Sequence, residues 1–95
     1  MLIKTFYGHW IDTDKIIGYE VQMNEGWEDF NVVAKLINGD EYIIEAMFIE
    51  HEQAEGLIKQ IAEKMKNGKA FYQPKNEYFI GSKYHEKSKI IAKRN

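Results

Sequence analysis

The residues best suited to chemistry in this chain of 95 residues are the acids and histidines of two short segments, His51-Glu52-Gln53-Ala54-Glu55 and Asp12-Thr13-Asp14. On a helix, His51 and Glu55 stand one turn apart, so both could reach one metal ion. A helical metalloprotease motif needs a second histidine, which is missing, and no third ligand is identifiable. The preferred reading is a helix N-terminus whose acids complement the helix dipole. Asp12 and Asp14 invite a calcium or general-acid reading. A calcium loop needs five or more oxygens at regular spacing, and here the acids stop after two. A turn whose side chains bond the backbone is the better account.

The other nucleophiles and bases form no pattern. His9, His51 and His85 are far apart in sequence, and Ser82 and Ser88 lie in no strand-turn-helix elbow. The seven glycines are scattered singly, so no phosphate loop exists. Cysteine is absent, which excludes a disulfide framework and a thiolate zinc site. The expectation is a protein that is not an enzyme and takes no metal or cofactor. A small enzyme whose site assembles only in space is an alternative.

Charge offers a different lead. Residues 1–57 hold twelve Asp/Glu against Lys4, Lys15 and Lys35, a balance of −9; residues 58–95 hold ten Lys/Arg against three Glu, a balance of +7. The net charge is only −2. Residues 83–95 read as a basic tail, in which Lys83, Lys87, Lys89, Lys93 and Arg94 interleave with Tyr84, Ile90 and Ile91. Lysines beside aromatics suit nucleic acid, so a nucleic-acid-binding protein using the C-terminal half is the second alternative. Against it, the acidic half repels phosphates unless it faces away, whereas a protein partner can complement both patches. Only weak nucleic-acid binding is expected.

These residues must be positioned by one small domain, residues 1–95, since the chain shows no linker and no internal repeat. Residues 2–7 are a strand candidate, broken at Tyr7-Gly8-His9, with Trp10-Ile11 resuming it. Asp12-Thr13-Asp14 is a turn or a single helical turn. Residues 16–23 alternate, with Ile17, Tyr19, Val21 and Met23 on one face. Residues 30–37 and 41–49 form a hairpin around Asn38-Gly39, which tolerates positive φ. A strict two-residue loop would place Glu41 and Glu45 beside Leu36 and Val32. Pairing positions whose numbers add to 78 instead puts Phe30, Val32, Ala34, Leu36, Tyr42, Ile44, Ala46 and Phe48 on one apolar face. Each large buried side chain contributes about 1.5–3 kcal/mol, which outweighs turn preference. A three-residue loop including Asp40, or a bulge after the turn, is expected.

Residues 50–67 carry a helical stripe of Ala54, Leu57, Ile58, Ile61, Ala62 and Met65. Acids gather at its start and lysines near its end. Asn67-Gly68 stops it, while the start lacks a favoured N-cap. Gly56 lies inside and suggests close approach to the sheet. Beyond Gly68, Lys69–Tyr72 and Glu77–Ile80 are short strand candidates around the Gln73–Asn76 turn, and residues 85–94 are a short helix or tail.

The fold class expected is therefore α+β, an antiparallel meander of four to five strands packed against one amphipathic helix. The glycine-marked break, the Ile11-Asp12-Thr13-Asp14-Lys15-Ile16 turn, the Asn38-Gly39 hairpin and the helix together resemble the layout of small pleckstrin-homology-like proteins. The resemblance covers about residues 2–67. It implies a layout found among short bacterial and phage proteins and carries over no functional residue.

The face of the hairpin turned from the helix is also rich in apolar groups, with Val33, Ile37, Ile43, Met47 and Ile49 standing among Asn31, Lys35, Glu41 and Glu45. Large exposed apolar patches are unusual in monomers, so a cover is expected: residues 71–80, a second copy forming a homodimer, or a partner. Trp27 and Trp10 lie in or beside turns; exposed, they would suit interface anchors, but the preferred reading is that each caps an open edge of a small core. The function expected is a small non-catalytic protein-interaction module, in one version a phage or bacterial accessory protein that blocks or bridges a host protein. Residues 1–7 hold no apolar run long enough for a signal peptide or a membrane span, and no membrane role is expected. A cysteine-free chain this small points to the cytoplasm, because small extracellular domains usually need disulfides.

Overall fold

A computed structural model describes residues 1–76 and shows an α+β fold of six strands and one helix. Strands β1 (Leu2–Lys4) and β2 (Trp10–Asp12) come first. A 3-10 turn at Thr13–Lys15 follows, then β3 (Ile16–Asn24), β4 (Asp29–Leu36) and β5 (Glu41–Phe48). Helix α1 (His51–Lys66) and the short strand β6 (Phe71–Tyr72) complete the described chain. Strands β3, β4 and β5 form the antiparallel meander, in that order. A second sheet has the order β2-β1-β6. In it β1 is antiparallel to β2 and parallel to β6, a pairing the local pattern did not announce. The expected meander followed by a helix is present, and the chain then returns to pair β6 with β1.

The first predicted strand is shorter than residues 2–7. After Lys4 the backbone closes on itself: the Thr5 N–H donates to the His9 carbonyl at 2.7 Å, and the His9 N–H donates to Thr5 Oγ1 at 3.0 Å. The Asp12 side chain accepts from the Asp14 N–H at 3.0 Å, so these acids do cap a turn.

The hairpin keeps the predicted face by a different register. The Leu36 N–H donates to the Asp40 carbonyl at 2.8 Å, so the loop is Ile37, Asn38 and Gly39 and does not include Asp40 as expected. Near the turn the pairs are Lys35 with Glu41, Ala34 with Tyr42 and Val33 with Ile43. Those numbers add to 76 rather than 78. Only Phe30 with Phe48, at the far end, reaches 78. An offset of two preserves which side chains share a face, because strand side chains repeat every two residues. The irregularity is absorbed in β5, where Met47 takes φ +66. Ala46 is thereby displaced from the predicted face and packs with Met47 in a second cluster with Phe6 and Ile43.

The main core contains Ile3, Val32, Ala34, Leu36, Ile44, Phe48, Ala54, Leu57 and Ile61. The helix stripe is narrower than predicted: Ala62 and Met65 are exposed, and Ile58 packs at the core edge. In β3 a bulge between Ile16 and Gly18 changes the predicted alternation. Ile16, Tyr19 and Val21 pack on the core, while Ile17 and Met23 are exposed.

Glu50 supplies the N-cap position, and its N–H donates to Gln53 Oε1 at 3.2 Å, which compensates for the absent Ser or Asp. At the other end Gly68, φ +73, follows the helix and its N–H donates to the Met65 carbonyl at 3.0 Å. Gly56 does not serve close packing, since a Cβ there meets nothing within 4 Å.

Two outcomes follow from this packing. Val32 is fully buried, so Val32→Asp should cost several kcal/mol by burying an unpaired charge; an unchanged urea midpoint would contradict the assigned core face. Gly56→Ala should stabilise the fold by about 1 kcal/mol, because it improves helix propensity where there is room. A lowered midpoint for that variant would show that the position is packed after all.

Candidate functional site

The face predicted to be open is closed within the chain at its centre, while Ile37 and Ile49 at its ends are exposed. Val33 and Met47 are 3% and 5% exposed, and Ile43 is half-buried. The segment after β1 supplies part of the cover: Phe6 packs on Met47, and its N–H donates to the Ile43 carbonyl at 2.8 Å. Asn76 adds a second tie, its Nδ2 donating to the Ala46 carbonyl at 2.8 Å. Val33 and Met47 are therefore core residues rather than a free interaction surface. Burial on both faces follows from the apolar groups that the sequence places on both. Trp27 is half-buried in the turn between β3 and β4, where its N–H donates to the Asn24 carbonyl. Lys83, Lys87, Lys89, Lys93 and Arg94 lie outside the described residues.

The pair His51 and Glu55 satisfies itself in solvent. His51 Nδ1 lies 2.5 Å from Glu55 Oε1, both side chains half-exposed, and the ring meets Phe30 edge-on at 5.5 Å. No group of three His, Asp or Glu side chains among the described residues is arranged to hold a metal ion.

A different surface stands out on the small sheet. Strand alternation turns Ile3, Ile11 and Tyr72 toward the core and leaves Leu2, Trp10 and Phe71 on the outside. These three are 45%, 46% and 68% exposed. Pairing brings them together: Leu2 stands opposite Phe71, and Trp10 opposite Lys4. The Trp10 and Phe71 rings meet edge-on, centroids 6.4 Å apart. Beside them is a shallow depression of about 770 Å³, walled by Leu2, Trp10, Phe71, Tyr72, Lys64 and Lys69. Its described walls contain no carboxylate.

Two lysines are already organised by the rings. Lys4 Nζ lies 5.8 Å from the Trp10 centroid, and Lys64 Nζ lies 5.7 Å from that of Tyr72. The Tyr72 hydroxyl donates to Gln60 Oε1 at 3.2 Å, which ties β6 to the helix. The surface is thus an apolar floor with ammonium groups around it. The lysines are there because Lys64 occupies the last turn of α1, where cations complement the dipole, and Lys69 follows directly. Trp10 could be suspected from sequence as an anchor. Leu2 and Phe71 could not, since strands of two or three residues are too short to display a period.

Among the described residues, two carboxyls away from this surface are perturbed: Lys35 holds that of Glu20 below the ordinary glutamate range, and that of Glu45 is shifted the other way. Burial pushes the Glu45 carboxyl above the ordinary glutamate range, against backbone N–H groups of Ala46 and Asn76 that favour the charged form. The Ala46 N–H lies 3.1 Å from Glu45 Oε1. The carboxyl acts as a strap between β5 and residue 76.

Comparison with family models, with characterised proteins and with solved structures finds no match to this chain. No helix of the described residues is long and apolar enough to cross a membrane.

The raised Glu45 value makes a pH prediction. The folded state holds this proton more tightly than the unfolded state. Its contribution to stability is therefore present at low pH and lost as pH rises through the raised value. Glu45→Gln keeps an acceptor and removes the titration. The urea midpoint of the native chain should fall as pH rises from just above the ordinary glutamate range, and that part of the slope should vanish in Glu45→Gln. An identical slope in both would exclude Glu45 as its source.

Proposed function

We propose that the chain is a non-catalytic protein-interaction module that docks a partner on the outer face of the small sheet. The observation that carries this reading is the joint exposure of Leu2, Trp10 and Phe71 beside one apolar depression. Exposed aromatics in a cluster are typical anchors of protein interfaces. The lysine rim defines the partner's chemistry: an apolar side chain for the depression, flanked by carboxylates for Lys4, Lys64 and Lys69. A module in the cytoplasm, where a cysteine-free chain needs no disulfides, fits the composition.

Nucleic acid is the less favoured occupant of the same face. Base stacking needs accessible ring faces, and ammonium groups already lie over Trp10 and Tyr72. The perpendicular Trp10 and Phe71 rings also offer no parallel stack.

The test is a titration of the full chain, followed by amide chemical shifts, with a short peptide carrying Phe and Leu between glutamates. A matched peptide with lysines in place of the glutamates is the control. The acidic peptide should shift residues around Leu2, Trp10 and Phe71, and the lysine peptide should not. Phe71→Ala should weaken binding about tenfold, the scale of a moderate interface anchor, without unfolding an exposed site. Tight binding of a single-stranded oligonucleotide at physiological salt, lost on removing residues 83–95 and unaffected by Phe71→Ala, would sink the proposal in favour of the basic tail.

A further inference from the structure

Strand β3 is a long edge of the meander. It runs for nine residues, Ile16–Asn24, at the end of the order β3-β4-β5, and no described strand pairs with its outer side. Not one of the nine residues is buried. Natural edge strands are normally short, or carry lysine or proline, because a long row of unpaired N–H and C=O groups templates pairing with another chain. β3 holds neither lysine nor proline; its only charge is Glu20, and its only irregularity is the bulge at Ile17.

We propose that β3 pairs antiparallel with β3 of a second copy of this chain, about a twofold axis at Glu20. A twofold interface must be complementary to itself, and this strand is. With Glu20 opposite its own counterpart, Ile17 falls opposite Met23, and Tyr19 opposite Val21. Ile17 and Met23 are two of the most exposed apolar side chains of the described residues, 69% and 64%. The register therefore covers both at once, twice per dimer. A slip by two positions leaves Ile17 or Met23 without that partner, and a slip by one puts side chains on opposite faces.

Charge does not oppose the contact. Each Glu20 already lies 2.6 Å from Lys35 on β4, so two ion pairs rather than two bare carboxylates meet at the axis. Gln22 is held by Glu41, its Nε2 donating to Oε1 at 3.3 Å, and would meet Gly18, which has no side chain to obstruct it. The product is a continuous six-stranded sheet. The proposal is independent of the docking surface, since Leu2, Trp10 and Phe71 take no part in it.

The absence of cysteine makes a clean register test possible. Opposed Cα atoms in antiparallel strands are about 4.5–5.5 Å apart, within disulfide range. Two Ile17 positions in the dimer would be about 20 Å apart, out of range. The full chain is prepared as Ile17→Cys and as Met23→Cys, oxidised separately and mixed. Cross-linking should occur in the mixture and fail in either variant alone. Sedimentation of the unmodified chain should show a dimer as concentration rises. Ile17→Lys should abolish the dimer while leaving the circular dichroism unchanged, and Ile17→Lys combined with Met23→Glu should restore it by opposing unlike charges across the axis. A monomer at every concentration, single variants that cross-link as readily as the mixture, or a dimer insensitive to Ile17→Lys would each overturn the proposal.

Discussion

The structure depends on burying β4 on both faces. Val32 and Ala34 point to one side and Val33 to the other, and all three are almost wholly inaccessible. A strand of this kind cannot sit in a two-layer protein with one wet face. On one side α1 and Ile3 of β1 close over it. Beside the other, Phe6 closes on Met47 next to Ile43. The chain leaving β1 therefore has to cross from one side of the meander to the other within a few residues. The compact Thr5–His9 turn makes that crossing, the N–H groups of Thr5, Gly8 and His9 bonding within the turn and that of Phe6 bonding the Ile43 carbonyl.

This requirement also explains why the small sheet exists. Ile3 is needed in the main core, and a single three-residue strand could not hold it there. β2 pairs on one side and β6 on the other, and Tyr72 of β6 is tied to α1 through Gln60. Each strand turns one residue inward, so its neighbours must face outward. Leu2, Trp10 and Phe71 are exposed as a consequence of the same alternation that buries Ile3, Ile11 and Tyr72. The candidate binding surface is thus the back of a structural element, with its lysine rim supplied by the C-terminal end of α1. Acids at the start of the helix and lysines at its end give the molecule two poles. The apolar floor lies at the basic one.

Much of the larger sheet and the helix was legible in the sequence, and the reasons are specific. The face shared by Phe30, Val32, Ala34, Leu36, Tyr42, Ile44 and Phe48 survived a two-residue change in register because a period of two is indifferent to it. Ala46 did not survive, because the bulge that absorbs the offset lies in its own strand. In β3 the bulge at Ile17 likewise exchanged Ile17 for Ile16 in the core, which no alternation count could anticipate. The site was much less legible. Val33 and Met47 read as apolar residues on a second face, and only contacts with distant segments decide whether such a face is open or closed.

By itself the sequence determined the helix and its ends, the apolar face of the hairpin, the turn at Asp12 and the exclusion of disulfides and thiolate metal sites. All of these rest on neighbours in the chain: spacing, capping and side-chain type. Tertiary structure decided the register offset, the closure of the second face by Phe6, and the meeting of Leu2, Trp10 and Phe71. Those three come from both ends of the described chain: Trp10 joins Leu2 through the antiparallel β1–β2 pair, and Phe71 reaches them by a parallel pairing across the whole meander and helix. Such a pairing is stabilised by burial of Ile3 and Tyr72 against the completed core, and no local pattern in two or three residues encodes it.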